Sequence, residues 1–350
     1  MSRAASDPLR VGVVGCGIIA KRYVEDSVAF DTWRPIACAD LDPAIASAFA
    51  QTHNLRPLTV EELIADPEVE LVLNLTPPAA HAPLIRASFD AGKHVYTEKP
   101  LATSVEDGRE LVAEAARRGL RLGCAPDTFL GSAYQTGRGL IENGEIGAPL
   151  GATATMLVGG PDSWHPNADF FYRAGGGPLL DIAPYYLTAI VALLGPIASV
   201  AGFAATPTPE RTLGTGPRAG ETVAVEVPTH AATVLRLASG VLTTLTVSFE
   251  ARDQYVSGLQ VFGTEAMLVL PDANAFGGTV AVRRGTAEPQ PVDYESRSAQ
   301  EVRGIGLHDL VQSMRAGQPH RASGELALHI LSAAEAVARS ASEHRVVELD

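Results

Sequence analysis

The sequence predicts an α/β protein in two parts: a doubly wound parallel sheet over residues 1–125, then an α+β part with a large, mostly antiparallel open sheet over residues 126–350. Three observations predict it. Up to about residue 125, short apolar, β-branched runs alternate with helix-period segments, the pattern of βαβ units whose strands are buried on both faces. Beyond that point strand-like runs follow one another across short turns, as in an antiparallel meander. The chain is also 350 residues long, more than the roughly 100–200 residues expected of one domain.

In order, the first part reads as a strand in "LRVGVVG", a helix from Ile18, a strand in "PIACAD", a helix from Pro43, a strand in "VELVLNLT", a helix from Ala79, a strand in "KHVYTE", a helix from Ser104 and a strand in "LRLGCA". Asp42 ahead of Pro43 suits an N-cap with proline at the first helical position. Thr103 and Glu106 have capping-box spacing ahead of "LVAEAARRG", which marks that helix start. In the second part the pattern predicts a helix near 131–143, a strand near 149–158, and a glycine-rich loop running into the helix of "GGGPLLDIAPYYLTAI". Pro184 falls in that helix's first turn, where its missing N–H costs least. Strands follow in "ETVAVEVP", "HAATVLRLASG", "VLTTLTVSFE", "GLQVFGT" and "AMLVLPD", and helices from about 304 and 324 end the chain. "ATPTPERTLGTGPRAGE" reads as an exposed Pro/Gly/Thr-rich loop.

Composition excludes several classes of partner. A formal charge of −13 without any Lys/Arg run argues against nucleic acid, whose backbone is gripped by clustered cations. Asp, Pro and Tyr interrupt the apolar runs before spanning length, and "MSRAASDPLR" has no apolar signal core, so no membrane segment and a cytoplasmic location are expected. Cys16, Cys38 and Cys124 are odd in number and set in apolar segments, as reduced, buried thiols would be.

"VGVVGCGIIA" places Gly15, Gly17 and Ala20 in a G-x-G-x-x-A arrangement between a strand and a helix. The first glycine permits a tight turn, and the second lets a pyrophosphate approach the backbone. The small third residue packs helix on strand, and the N–H groups of Ile18 and Ile19 open a helix N-terminus that attracts an anion. A ligand-free βα turn would look the same. Asp40 supplies the missing piece, ending the second strand where a carboxylate can bind an adenosine ribose. Its charge repels a 2′-phosphate, so this Rossmann half is expected to take NAD rather than NADP. Two further segments follow strand ends, "NLTPPAAHAPL" with Thr76, Pro77 and His81, and "VYTEKPL" with Glu98 and Lys99. Both fall on the edge where open α/β sheets bind ligands.

With "GCGIIA", "TPPAAH", "EKPL", "IENGEIGAPL", "GGGPLLDIAPYYL" and "HRASGELALHIL" in order, nearly the whole chain resembles the glucose-fructose oxidoreductase and inositol dehydrogenase family of nicotinamide-dependent sugar and polyol oxidoreductases. That resemblance implies a dinucleotide-binding domain and a large-sheet domain whose outer face makes homodimers or homotetramers. It implies Thr76, Pro77, His81, Glu98 and Lys99 at the cofactor. It further implies Lys99 beside nicotinamide and reacting carbinol, and an aspartate with a histidine four residues on as its catalytic partners. Asp181 matches the aspartate, and Tyr185 stands in the histidine position, as in some relatives. Physically, an ammonium in a partly closed pocket can stabilise a developing alkoxide. Positions i and i+4 of one helix share a face, so Asp181 and Tyr185 can converge while Tyr186 packs elsewhere. Surface pairing of Lys99 with Glu98, an ordinary packed Tyr185 and a helix-start role for Asp181 are the bland alternatives.

"GGPDSWHPNADFFYRAGGG" is a long aromatic loop before that helix, and its aromatic density argues against disorder. Trp164 is a candidate for stacking on a sugar and His165 for bonding a hydroxyl, with plain loop anchoring equally open. Asp162, Asp169 and His165 lack metal-site spacing, so no metal is assigned. Asp127 is a further candidate substrate contact, and Arg303 and His308 read either as groups of that cleft or as a solvated helix terminus. Three activities are compatible with these residues: net hydride transfer at a secondary carbinol, redox-neutral glycoside cleavage through transient oxidation, and sugar or nucleotide sensing without chemistry.

Overall fold

The structure is a computed structural model that describes residues 7–295 and 301–349. The chain divides into two compact units, Met1–Asp127 with Arg297–Leu328, and Thr128–Ser296 with His329–Asp350.

In the first unit, β1 (Leu9–Val14), β2 (Trp33–Ala39), β3 (Arg56–Leu58), β4 (Leu71–Asn74), β5 (His94–Thr97) and β6 (Leu122–Cys124) pair in the order β3-β2-β1-β4-β5-β6. Every pairing is parallel. The connections are α1 (Ile18–Asp26), α2 (Pro43–His53), α3 (Val60–Ala65), α4 (His81–Asp90) and α5 (Val105–Arg118). β4 is buried at all four residues, as a strand covered on both faces must be. Val14, Ala37, Ala39, Leu63, Val69, Val72 and Leu84 form one core cluster, and each large apolar side chain so buried contributes about 1.5–3 kcal/mol. Helix α3 lies so close to β1 that a Cβ on Gly12 would meet Leu63 at 2.6 Å.

Asp42 caps α2 as its sequence position suggests, accepting from Ala44 N–H at 2.8 Å. At α5 the cap is shifted by one residue: Ser104, not Thr103, accepts from the N–H of Asp107 at 3.1 Å. The Ser104 hydroxyl also donates to the Asp107 carboxylate at 2.7 Å, so Asp107 takes the N3 role that spacing gave to Glu106. A full capping box stands instead at Thr59 and Glu62, the start of α3.

A single boundary near residue 125 does not describe the packing, because α9 (Ile305–Arg315) and its flanks return to the first unit. Cys124 N–H donates to Ala322 O at 3.0 Å, His320 Nε2 lies 3.0 Å from Leu122 O, and Thr32 Oγ1 lies 2.8 Å from His308 Nδ1. These are contacts between residues some 200 or more positions apart, which local pattern cannot report.

The second unit is built on nine strands. They are β7 (Pro149–Leu157), β8 (Ile197–Ala205), β11 (His230–Leu237), β12 (Leu242–Ser248), β13 (Val256–Gly263), β14 (Met267–Leu270), β15 (Ala281–Arg283), β16 (Gln290–Pro291) and β17 (Val347–Glu348), in the order β16-β15-β14-β13-β7-β12-β11-β8-β17. Only β7 with β12 is parallel among these pairings. β9 (Glu210–Thr212) and β10 (Thr222–Ala224) form a separate two-stranded ribbon, so "ETVAVEVP" does not join the large sheet. Helices α6 (Ser132–Glu142) and α8 (Ala183–Leu194) pack on one face, α7 (Pro178–Asp181) precedes α8, and α10 (Gly324–Glu343) precedes β17. The other face carries exposed Phe203, Val234 and Leu242. No helix among the described residues is long and apolar enough to cross a membrane.

His329 accepts from Ile197 N–H through Nε2 at 3.0 Å, and burial holds its pKa below the ordinary value. As pH falls the unfolded chain therefore takes the proton first. This group's contribution to stability is complete above a pH of about 6.5 and is lost as pH drops below it. We expect unfolding free energy to fall between pH 7.5 and 5.5. His329→Gln, which keeps an acceptor without a titration, should make that fall with pH shallower in urea melts; an unchanged slope would refute the assignment.

Candidate active site

In a parallel sheet all strands finish on one edge, and ligands gather where the strand order reverses, here between β1 and β4. Gly15 follows β1 there with φ +93°, and a Cβ on it would lie 2.7 Å from Leu75 O. Gly17 differs in kind. It is the N-cap of α1 with φ −80°, and a Cβ on it would meet nothing within 4 Å. Helix α1 has no side-chain cap and no acid in its first turn, so the N–H groups of Ile18 and Ile19 open onto space with the positive helix end behind them. Ala20 is fully buried against the sheet.

Asp40, at the end of β2, accepts from Cys16 N–H at 2.9 Å and from Asp42 N–H at 3.1 Å. Each oxygen thus takes one bond, which fixes the carboxylate beside the glycine turn and leaves further lone pairs for ribose hydroxyls. A glycine with open space above it, an uncapped helix end and a held carboxylate fit a dinucleotide.

The "TPP" turn is set by Asn74, which ends β4 and accepts from both the N–H and the hydroxyl of Thr76 at 3.3 and 2.6 Å. Pro77 is exposed beside it. His81 is not available to a cofactor, contrary to the expectation from sequence. It is fully buried, with Nδ1 2.6 Å from Pro100 O and Nε2 2.8 Å from Thr76 O. Its pKa is lowered by burial, with the carbonyls and Glu98 pulling the other way. It ties the turn after β4 to the turn after β5.

Glu98 and Lys99 follow β5 and are half-buried. Glu98 accepts from the Tyr23 hydroxyl at 3.1 Å and from Lys99 N–H at 3.1 Å. Tyr23, fully buried on α1, therefore links the nucleotide helix to the lysine turn. Sequence reading passed over it, although its place three residues after Ala20 puts both on the inner face of α1.

Asp127 is also not a substrate contact. It is fully buried and accepts from Gly304 N–H at 3.2 Å and Gly306 N–H at 3.0 Å, with Arg303 Nη1 3.6 Å away. Burial pushes its carboxyl up, opposed by Arg303 and the Gly306 N–H. Arg303 and His308 are half-buried: Arg303 faces Asp127, and the His308 ring lies tilted with its centroid 5.0 Å from that of Phe30.

In the second unit, Asp181 and Tyr185 do not share one continuous helix. α7 ends at Asp181, α8 starts at Ala183 with Ile182 (φ −107°, ψ −33°) between them, and Tyr185 N–H donates to Ile182 O at 3.2 Å. Pro184, without an N–H, lies at this break. Asp181 is half-buried and Tyr185 is 9% exposed. Tyr186 is the packing tyrosine, fully buried with its hydroxyl donating to Asp272 at 2.7 Å.

Trp164 is 63% exposed. His165 is half-buried among aromatic rings, with centroids 5.3–5.4 Å away at Trp164, Phe170 and Phe171. Asn167 N–H donates to its Nδ1 at 3.1 Å, which leaves the neutral ring's proton on Nε2. Burial lowers its pKa, and the Asp181 carboxylate opposes that shift, so Asp181 and His165 feel one another. Asp162 and Asp169 are held by Tyr172 and by Arg173 and Arg218.

The two glycines make separable predictions. Gly15→Ala, with a left-handed φ and a backbone clash, should destabilise the protein by about 1–3 kcal/mol. Gly17→Ala should melt with the wild type yet bind NADH about tenfold more weakly by titration calorimetry; equal affinity would show that no ligand uses the open space.

Comparison with known proteins agrees with this geometry. The oxidoreductase family, NAD-binding Rossmann fold, matches residues 9–125, and the GFO/IDH/MocA C-terminal domain matches residues 134–269. The 1,5-anhydro-D-fructose reductase of Ensifer adhaerens is 27% identical over 97% of this chain and 98% of its own length. Levoglucosan dehydrogenase of Pseudarthrobacter phenanthrenivorans is 27% identical over 79% of this chain and 78% of its own. A crystal structure of an NAD-binding oxidoreductase from Klebsiella pneumoniae has the same fold, with a TM-score of 0.86 at 24% identity, covering 99% of this chain and 100% of that one. The chain belongs to the GFO/IDH/MocA family of oxidoreductases, and its first unit is an NAD-binding Rossmann domain.

Proposed function

We propose that the protein is an NAD-dependent dehydrogenase or reductase acting on a secondary hydroxyl of a cyclic sugar or polyol, with anhydro sugars the first class to test. The reading is carried by Lys99, half-buried at the end of β5 and seated by Glu98 beside the nucleotide edge. The names of two relatives, an anhydrofructose reductase and a levoglucosan dehydrogenase, support the substrate class. Asp40 supports NAD over NADP, since a 2′-phosphate would bring negative charge to a carboxylate already fixed by two N–H donors.

NAD, when bound, supplies the two-electron acceptor for the carbinol hydrogen. The Lys99 ammonium then stabilises negative charge developing on the substrate oxygen. The Tyr185 hydroxyl relays the proton, receiving the substrate's and passing its own on to water in oxidation, with the reverse transfers in reduction. Asp181 and the Nε2–H of His165 orient the neighbouring hydroxyls. Trp164 offers an exposed aromatic face to the apolar side of the ring.

Levoglucosan and inositols with NAD, and 1,5-anhydro-D-fructose with NADH, form the test panel, followed by NADH absorbance. Lys99→Met should lower turnover by about 10²–10⁴ while NADH affinity and melting temperature hold; surviving turnover would sink the assignment. A glycoside cleaved without net NADH would identify the redox-neutral reaction instead. Asp40→Ser should narrow the preference for NAD over NADP by about tenfold or more in kcat/KM, and an unchanged preference would place discrimination elsewhere.

A further inference from the structure

We propose that Arg211 is a positioning residue for substrate recognition: it fastens the loop of residues 159–177 to the large sheet and so presets Trp164 and His165. The inference rests on the reading above that this loop meets the sugar.

Sequence placed Arg211 in an exposed loop, yet it is 1% exposed. Its Nη2 donates to Glu250 Oε1 at 2.8 Å and to Phe249 O at 2.9 Å, just past β12. Its Nη1 donates to Gly159 O at 3.4 Å and lies 3.8 Å from Asp162 Oδ1. Its guanidinium carbon sits 5.5 Å from the ring centre of Tyr172, whose hydroxyl donates to Asp162. Gly159, Asp162 and Tyr172 are loop residues, and Arg211 itself is the middle of β9. One rigid fork of donors is therefore shared among three segments distant in sequence. A buried guanidinium must keep its acceptors, so the bonds made by Nη1 and Nη2 fix those segments together, while Nε makes none.

The rest of the excursion between β8 and β11 follows the same course. Gly214 N–H donates to Asp162 O at 2.8 Å, and Glu226 N–H donates to Tyr172 O at 2.8 Å. Arg218 pairs with Asp169 at 3.2 Å. Gly216, at φ +81°, passes so close that a Cβ would lie 2.7 Å from Pro166 O. On the sheet side Glu250 accepts the hydroxyls of Thr208, at 2.8 Å, and Thr229. Burial raises the proton affinity of Glu250, but these hydroxyls and Arg211 outweigh it and hold the carboxyl below its ordinary range. The excursion is a strap across the base of the loop, while the tip at Trp164 stays exposed. An anchored base with an exposed aromatic tip meets the ordering cost before the ligand arrives.

The chain's own fluorescence reads the loop. It has two tryptophans, Trp33 at 1% exposure and Trp164 at 63%, so acrylamide quenching reports mainly Trp164. Arg211→Met should raise the quenching constant about 1.5-fold or more, with NADH affinity, which belongs to the first unit, unchanged. With levoglucosan and NAD, KM should rise about tenfold while kcat stays within about twofold. Arg211→Lys, keeping the charge but not the fork, should fall between. Tyr172→Phe, a gentler lesion of the same anchor, should move quenching in the same direction if Arg211→Met does not fold. Unchanged quenching in a folded Arg211→Met or, failing that, in Tyr172→Phe overturns the inference whether or not levoglucosan is turned over. Trp164→Ala separates the two readings. If it leaves KM unaltered, the loop is not a substrate loop; if it raises KM while Arg211→Met does not, only the positioning role fails.

Discussion

The first unit depends on one constraint, that six parallel strands must all finish on the same edge. Parallel pairing leaves every strand's carboxyl end facing one way, and the order reverses once, between β1 and β4. Gly15, Asp40, Thr76 and Lys99 come from four different strand ends across some eighty residues, and nothing local in the chain brings them together. The sheet does, and it depends in turn on strands apolar enough to be buried on both faces. A polar substitution in β4, buried at all four residues, would act on the nucleotide edge without touching a nucleotide.

That edge also shows how polar groups divide between structure and chemistry. His81, Asp127 and Glu98 all lie beyond strand ends, and each bonds backbone or neighbouring groups: two carbonyls for His81, two N–H groups at one oxygen of Asp127, an N–H and a tyrosine hydroxyl for Glu98. Turns at a ligand edge must close sharply, and each leaves backbone groups that need partners. Fully buried polar side chains supply them. Asp40 combines both duties, since its two bonds hold it still and leave lone pairs over. Burial distinguishes these cases: Asp127 and His81 have no exposed surface, whereas Asp40 and Lys99 are half-open.

Much of this was legible in the sequence, and the misses share a cause. Continuous apolar runs located β1, β2, β4, β5 and β6, and the glycine spacing located the turn, because both signals are local. Position along a strand gives the edge but not the direction of a side chain, so His81 and Asp127 were read as contacts when they are clamps. The return of Arg303, His308 and α9 to the first unit rests on bonds such as Thr32 to His308, invisible to any window. The break between α7 and α8 was half legible. Pro184 does fall in the first turn of α8, as its position suggested, but the separate short helix α7 ahead of it was not read.

That junction bears on the tyrosine that stands in the histidine position. In an unbroken helix the face shared by residues i and i+4 is fixed by 3.6-residue geometry. Here Pro184 brings no N–H and Tyr185 N–H bonds to Ile182 O, so Asp181 and Tyr185 belong to two successive helical segments. Asp181 ends a four-residue helix whose start, Gly177 at φ +81°, approaches Pro228 O, so its orientation is set from the loop side. Tyr185 begins a twelve-residue helix packed on the sheet, so its orientation is set from the core. The loop that sets Asp181 is the one Arg211 anchors at Gly159 and Asp162, so one buried guanidinium bears on both the aromatic tip and the carboxylate beside it.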